Sequence, residues 1–336
     1  MRRGFLTAGT WCLDRNITLD LWPEEDMIAT VREVVPGGGG SACNFAVDLR
    51  RLDPDMPVET QGIVGADADG DFLLAVADEY GIARESLRKI EGVPTQSTSA
   101  YLSAATGRRT HVHLPGSGTK LSPEHFDFTA TYARVMHLGL PGIHAIMDAP
   151  WGEDANGWVT VLRMAQEAGL KTDLELVAGS EEQIRRLALP CLPHLDTLVV
   201  NDQEIGAMAG SRTVSGGKTN VDAVREAARN VLSRGAMELV AVHFTQGAVL
   251  ISRDGTEVFQ PSVAIPDAER KGANGAGDAF SAGFHYGLHE GWAGQDCLRL
   301  GHATAAACLR APDTYSSVGT VAECLGLAER WGWRSA

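Results

Sequence analysis

Apolar positions along this chain follow two periods in turn. Unbroken β-favouring runs, the mark of strands buried on both faces, occur at Phe5–Thr10, Thr60–Val64, Val135–Leu140, Leu170–Val177, Thr197–Val200 and Glu238–Phe244. Between them, apolar residues recur three and four apart. That spacing predicts helices over Asn44–Leu52, Asp71–Tyr80, Trp158–Ala168, Glu181–Leu189 and Val221–Ser233, and one starting at Asn201-Asp202-Gln203-Glu204. A last stripe, Phe280, Phe284 and Leu288, follows a short β-like run at Gln260–Ile265. Strands alternating with helices imply a parallel sheet covered on both faces. Two regions break the alternation. Ile17–Leu21 and Met27–Val35 flank Pro23-Glu24-Glu25, and Thr95–Ala104 and Arg109–Leu114 read as a hairpin around Ala105-Thr106-Gly107-Arg108. Together they predict a small β-sheet outside the main body.

Composition narrows the class. With 336 residues, 44% apolar and 21% charged, the chain has enough material for about two domains, or for one large α/β domain with an appendage. Its formal charge of −14, without a compensating Lys/Arg stripe, argues against a nucleic-acid partner. An anionic small molecule remains compatible, because backbone dipoles bind phosphate inside a negative protein. Cys12, Cys43, Cys191, Cys297, Cys308 and Cys324 are scattered, with no C-x-x-C pair and no His at zinc spacing, as for buried thiols in a reducing cytosol. The apolar run after Met1-Arg2-Arg3 breaks at Thr7 and Gly9, so a cytoplasmic protein that opens on a strand is expected. No run approaches the ~18 apolar residues of a membrane span.

The chemistry gathers at two glycine-rich stretches. In Asn274-Gly275-Ala276-Gly277-Asp278-Ala279-Phe280 a tight turn feeds a helix, which offers free N–H groups and about half a positive charge to an anion. Asp278 at that end is either a helix N-cap or a carboxylate beside a phosphate, placed to take a proton from an attacking hydroxyl. In Pro36-Gly37-Gly38-Gly39-Gly40-Ser41 four glycines run straight into a helix, which favours close approach of backbone to ligand over a linker. Asp14, beyond the first strand, stands where open α/β sheets bind ligands. Other patterns fail. Gly217-Lys218-Thr219 lacks the glycine of a phosphate loop, since Arg212 occupies that position. Gly275-x-Gly277 has Phe280 where a dinucleotide fingerprint needs its third glycine. Gly65–Gly70 lacks the distal Glu of a calcium loop and reads as a strand-to-helix turn. His111 and His113 fall on one hairpin face, while His137, His243, His285 and His302 are assigned to core or helix-surface positions.

Taken together, these stretches resemble the signatures of the PfkB/ribokinase family of carbohydrate kinases, in the family's order and over nearly the whole chain. Gly9-Thr10-Trp11-Cys12-Leu13-Asp14 is similar to its first strand and substrate-binding aspartate. Gly39-Gly40-Ser41-Ala42-Cys43-Asn44 is similar to its diglycine switch and helix. Gly62–Gly70 matches its G-x-V-G-x-D-x-x-G run, Asn201-Asp202-Gln203-Glu204 its N-x-x-E element, and Gly275-Ala276-Gly277-Asp278 its anion hole and base.

The resemblance implies a ribokinase-like three-layer α/β sandwich with a mostly parallel central sheet, residues 1–14, 36–94 and 115–336, and a small β-sheet lid, residues 15–35 and 95–114. It implies transfer of the γ-phosphoryl of ATP to a hydroxymethyl group of a small carbohydrate. Asp278 would be the base, with the amides of Gly275, Ala276 and Gly277 on the moving phosphoryl. Asp14, Gly39, Gly40 and Asn44 would bind the sugar. Asn201 and Glu204 would hold Mg²⁺ through water, and Asn201, Glu204, Thr245, Gly247 and Asn274 would serve the nucleotide. Family lids pair between subunits, which implies a homodimer. The chain departs from the family in three places. Gly272 and Ala273 replace an Asp-Thr pair that helps bind a monovalent cation, which argues against potassium activation. Thr245-Gln246-Gly247 is shorter than the usual nucleotide loop, and Asp53 replaces a glycine at the end of the first signature. Two further readings stay open. Asn274 before the glycine turn also resembles the adenosine-kinase branch, for which Trp11 is a candidate aromatic over the pocket. A ligand-binding protein on the same fold, without turnover, is the other.

Overall fold

The computed structural model describes residues 2–106, 108–177, 179–272 and 274–335. The strands in chain order are β1 (Phe5–Gly9), β2 (Cys12–Leu19), β3 (Val31–Gly39), β4 (Val58–Gly65), β5 (Ala83–Ile90), β6 (Ser97–Ser103), β7 (Arg109–Leu114), β8 (Val135–Gly139), β9 (Lys171–Leu174), β10 (Thr197–Asn201), β11 (Val214–Ser215), β12 (Lys218–Thr219), β13 (Leu239–Phe244), β14 (Gly247–Ser252) and β15 (Glu257–Pro261). The helices are α1 (Ser41–Leu52), α2 (Ala68–Glu79), α3 (Gly157–Glu167), α4 (Glu181–Ala188), α5 (Asp202–Ala209), α6 (Val221–Arg234), α7 (Ala276–His289), α8 (Gly294–Cys308) and α9 (Val321–Trp331). Gly107, in the expected hairpin turn, and Ala273, at the cation position, lie outside the described residues.

Five parallel strands, in the order β5-β4-β1-β8-β9, form the centre. A second sheet, β10-β13-β14-β15, continues alongside β9, where the Asp196 N–H donates to the Thr172 carbonyl. Its β10 and β13 are parallel, and β14 and β15 return antiparallel. Strand alternation then decides which core each residue joins. Leu6 and Ala8 face the core beneath α3–α6, whereas Phe5 faces the core beneath α1, α2 and α7–α9. Helices therefore cover both faces of a mostly parallel sheet, as the sequence pattern predicts.

A separate four-stranded sheet, β3-β2-β6-β7, stands apart. Its strands reach further toward the body than the sequence runs suggest. β2 begins at Cys12 and β3 ends at Gly39, so Asp14 and the diglycine lie in or beside this sheet. The sequence pattern misses β5, β14, α8 and α9. The calcium-like stretch is a helix start, in which Asp67 caps α2 by accepting from the Gly70 N–H. The stretch that mimics a phosphate loop is the short β11–β12 hairpin. No described helix is long and apolar enough to cross a membrane.

Candidate active site

The glycine turn is shaped by what lies behind it. Gly275 has φ 71°, and a Cβ there would lie 2.6 Å from the Thr314 carbonyl oxygen and 2.7 Å from the Thr314 Cβ. Only glycine fits such a corner. α7 starts at the next residue with no side chain capping its free N–H groups, so they stay available to an anion. Asp278 lies in the first turn and does not cap the helix, a role that falls to Gly275. Its Oδ2 instead accepts from the Asn44 Nδ2 at 2.9 Å, and the Asn44 Oδ1 accepts from the Thr314 hydroxyl at 2.8 Å. Burial raises the Asp278 carboxyl above the ordinary carboxylate range, while the Asn44 hydrogen bond and the nearby His137 oppose the rise.

Two clefts meet at this turn. One, of about 500 Å³, is lined by Asp14, Gly40, Asn44, Asn201, Glu204, Asn274, Gly275, Gly277 and Asp278 among others. The second, of about 480 Å³, is lined by Thr245, Ala276, Arg270, His302 and Arg334 among others. Asn201, His243 and Gly277 line both. Gly39 is held against the Asp14 carboxylate, where any Cβ would collide with it. Gly40 has φ 83°, and a Cβ there would lie 2.6 Å from the Thr10 carbonyl oxygen. Asp14 sits within β2 rather than past a strand end. Burial moves its carboxyl up to about 7, with the charge of Asp278 adding and the Cys12 thiol opposing. Gly247 lines neither cleft among the described residues; it opens β14 against Phe259 and Gln260.

The N-x-x-E element has a structural job of its own. The Asn201 side chain accepts from the Gln203 and Glu204 N–H groups, and the Glu204 Oε2 accepts from the Asn201 N–H at 2.9 Å. This is a capping box for α5. It also pins the Glu204 carboxyl at the cleft wall, where burial moves it up to about 7.

Several wall residues escaped the sequence reading. Glu175, just past β9, is buried with Oε2 unpartnered. Burial, with Asp278, Glu204 and Asp173 nearby, holds its carboxyl well above the usual range. His243 sits with its Cε1 3.5 Å from where a Cβ on Gly277 would lie, and burial moves it down to about 4. His111 and His113 face the first cleft; their alternation on β7 was the available signal. Thr314, behind the turn, belongs to no motif. Trp11 is buried, and its indole N–H donates to the Thr60 hydroxyl at 2.8 Å, away from the cleft wall.

Known proteins resemble this chain in sequence and fold. A family model described as pfkB family carbohydrate kinase matches residues 11–320. An acarbose 7(IV)-phosphotransferase from Actinoplanes sp. is 35% identical over 285 residues, 84% of each chain. Among solved structures, the ribokinase of Arabidopsis thaliana, complexed with ribose and ATP, superposes with a TM-score of 0.78 at 21% identity, over 98% of this chain and 99% of that one. A Methanocaldococcus jannaschii nucleoside kinase superposes with a TM-score of 0.72 at 17% identity, over 98% and 99% of the chains.

Proposed function

Since the chain belongs to the pfkB family of carbohydrate kinases, we propose that it moves the γ-phosphoryl of ATP onto a hydroxymethyl group of a small carbohydrate. Phosphotransfer to an alcohol acceptor follows from the family; the nucleotide, the acceptor and the residue roles are the proposal. Asp278 accepts the proton of the attacking hydroxyl. The amides of Gly275, Ala276 and Gly277 stabilise charge on the moving phosphoryl, since positioning and electrostatics supply most of such catalysis. The observation that carries the reading is the placement of Asp278. It is half-buried in a helix start that no side chain caps, on the wall of the first cleft next to Gly277, which lines both clefts, and it is oriented by Asn44. In this reading Asp14, Gly39, Gly40 and Asn44 bind the acceptor in the first cleft. The second cleft takes the nucleotide, with Thr245 and Ala276 in its wall, Asn201 at the junction, and Asn274 and Glu204 reaching the phosphates from the wall of the first cleft.

The residues fit Mg²⁺. Glu204, Glu175 and Asp278 each meet the others' charge at one wall, and Glu175 keeps an unpartnered oxygen there. Hard oxygens suit that ion. Among the described residues no three His, Cys, Asp or Glu side chains could hold a metal by themselves. Phosphate oxygens and water would complete the shell around Glu204 and Asn201. Bound there, the ion would neutralise charge on the phosphates.

The acceptor cleft favours a sugar over a nucleoside. No Phe, Tyr or Trp lines it among the described residues, so the large ring that best stacks a base is missing and only the imidazoles of His111, His113 and His243 are there. The Actinoplanes relative, named for acarbose, supports a saccharide. The segments 15–35 and 95–114 act as a lid that excludes water and limits wasteful ATP hydrolysis. They also pair two copies. Leu21, Trp22, Met27, Ile28, Val31, Val34, Val112 and Leu114 are all exposed on or beside this sheet, and supply nearly all the large exposed apolar side chains described.

ADP release over pentoses, hexoses, keto-sugar acids and nucleosides tests the reading. Turnover on a sugar, lost in Asp278→Ala with ATP binding retained, is the expected result. An active Asp278→Ala protein removes the proposed base. Native protein that binds but turns over nothing favours a non-catalytic binder.

A further inference from the structure

Asn44 has two faces, and its neighbours decide which way they point. One face meets the Asp278 Oδ2 at 2.9 Å and the other meets the Thr314 hydroxyl at 2.8 Å. An amide can donate only through its NH₂ end. With Asp278 ionised, that end must face the carboxylate, and the oxygen end must then find a donor elsewhere. Thr314 is that donor. It is buried at 5% exposure, so water offers no ready substitute. The Thr314 hydroxyl also lies 3.4 Å from the Gly38 carbonyl oxygen. Gly38 lies in β3, and its N–H donates to the Tyr315 hydroxyl at 2.9 Å. Thr314 and Tyr315 therefore touch the end of the small sheet, the catalytic helix turn and Asn44 from a single loop.

We propose that Thr314 is a positioning residue for phosphoryl transfer: its hydroxyl sets the Asn44 amide so that the NH₂ group orients Asp278 for attack. The proposal rests on Asp278 being the base. The same hydroxyl serves the other half of the cycle. Once Asp278 holds the acceptor's proton, its O–H needs an acceptor. The Asn44 amide flips, its oxygen accepts from Asp278, and its NH₂ donates to the Thr314 Oγ1. The Thr314 proton swings to the Gly38 carbonyl. The proton taken from the acceptor stays on Asp278 throughout, and only hydrogen bonds reverse direction. A valine at position 314 would fill the same space and permit neither arrangement.

The test uses Thr314→Val and Thr314→Ser in the full chain, with Asp278→Ala as the floor and Asn44→Ala for a double-mutant cycle. Thr314→Val is expected to lower kcat by about tenfold, the scale of one misdirected hydrogen bond to a charged group. KM for ATP should stay within about twofold, since the hydroxyl lies off the nucleotide wall. Thr314→Ser should restore kcat. Thr314→Val added to Asn44→Ala should cost nothing further. Native kcat in a folded Thr314→Val protein overturns the proposal, as does full additivity with Asn44→Ala. A Thr314→Ser protein as slow as Thr314→Val also overturns it, and assigns the residue to packing. If instead Asp278→Ala turns over like the native enzyme, the base assignment is what fails.

Discussion

Replacing Gly275 by alanine separates two costs that usually arrive together. The first is conformational: φ is 71°, and a side chain there is strained by about 1 kcal/mol. The second is collision. The added Cβ would stand 2.6 Å from the Thr314 carbonyl oxygen, 2.7 Å from its Cβ and 2.8 Å from its Cα. Carbon atoms rest about 3.5–4.0 Å apart, so the turn and the loop must part by roughly 1 Å. Two of those three atoms are backbone and cannot rotate away. A misplacement of about 1 Å in a positioned catalytic group costs on the order of 10²-fold in rate, or about 2.7 kcal/mol in the barrier. Gly291→Ala isolates the first cost, because Gly291 has φ 78° and nothing within 4 Å of its added Cβ. Thermal unfolding and ADP-release kinetics should show both variants destabilised, Gly275→Ala the more so. Only Gly275→Ala should lose kcat, by about a hundredfold. A folded Gly275→Ala protein within about threefold of native kcat would refute the idea that this corner fixes the phosphoryl.

Three further outcomes are expected. Asp14 has a folded carboxyl at about 7 against 3.8 unfolded, so its favourable contribution is complete below about pH 4 and is lost as pH rises through about 7. Asp14→Asn should match native stability in urea near pH 4 and exceed it at pH 8 by a few kcal/mol, since each tenfold change in proton affinity is worth about 1.4 kcal/mol; no gain at pH 8 contradicts the burial argument. Glu204→Gln keeps the capping box but loses the charge: unfolding near pH 4, where the buried carboxyl is protonated, should change by less than about 1 kcal/mol, while the Mg²⁺ needed for half activity at neutral pH rises about 10-fold or more. An unchanged Mg²⁺ requirement would leave Glu204 as a cap alone. Ile28 is 92% exposed beside the small sheet, and Ile28→Lys should give monomers in sedimentation without loss of fold, whereas native protein that is already monomeric removes the proposed dimer.

What could be read from the sequence follows from where physics leaves a local mark. The central strands bury both faces, so their apolar runs are unbroken. The glycines at 39, 40 and 275 are dictated by close approach and positive φ, which no other residue satisfies. β5 escaped because it is an edge strand carrying Arg84, Arg88 and Lys89, which hide its pairing with β4. β14 escaped because the turn after β13 holds only Thr245 and Gln246, so two strands read as one strand and a loop. α8 is rich in Ala, Gly and Cys, whose small side chains pack closely on α7, and with Leu298 and Leu300 as its only large aliphatic residues it shows no strong apolar stripe. The wall residues Glu175 and His243 and the buried Thr314 behind the turn come from three distant segments and carry no spacing signal. Only the folded chain brings them to Asp278. Asp14 was legible as a candidate for a polar contact and lines the first cleft, yet its placement inside β2 depended on how far the small sheet reaches inward.

The first cleft sets a charge problem that constrains any mechanism. Asp14, Glu175, Glu204 and Asp278 line it together, and burial raises every one of them. Among the described residues no Lys or Arg lines the same wall. The start of α7 supplies only about half a positive charge, which cannot balance four carboxylates and an incoming polyphosphate. Two remedies exist, and they differ in their effect on the base. Protonating the carboxyls relieves the repulsion but turns Asp278 into an acid that cannot accept a proton. A cation held near Glu204 would lower all four carboxyls at once and favour the ionised Asp278. Asn44 pulls in the same direction through its single donated hydrogen bond. The proposed kinase therefore needs its cation for more than the phosphates: without added positive charge, the burial that keeps water from the moving phosphoryl would also disarm the base.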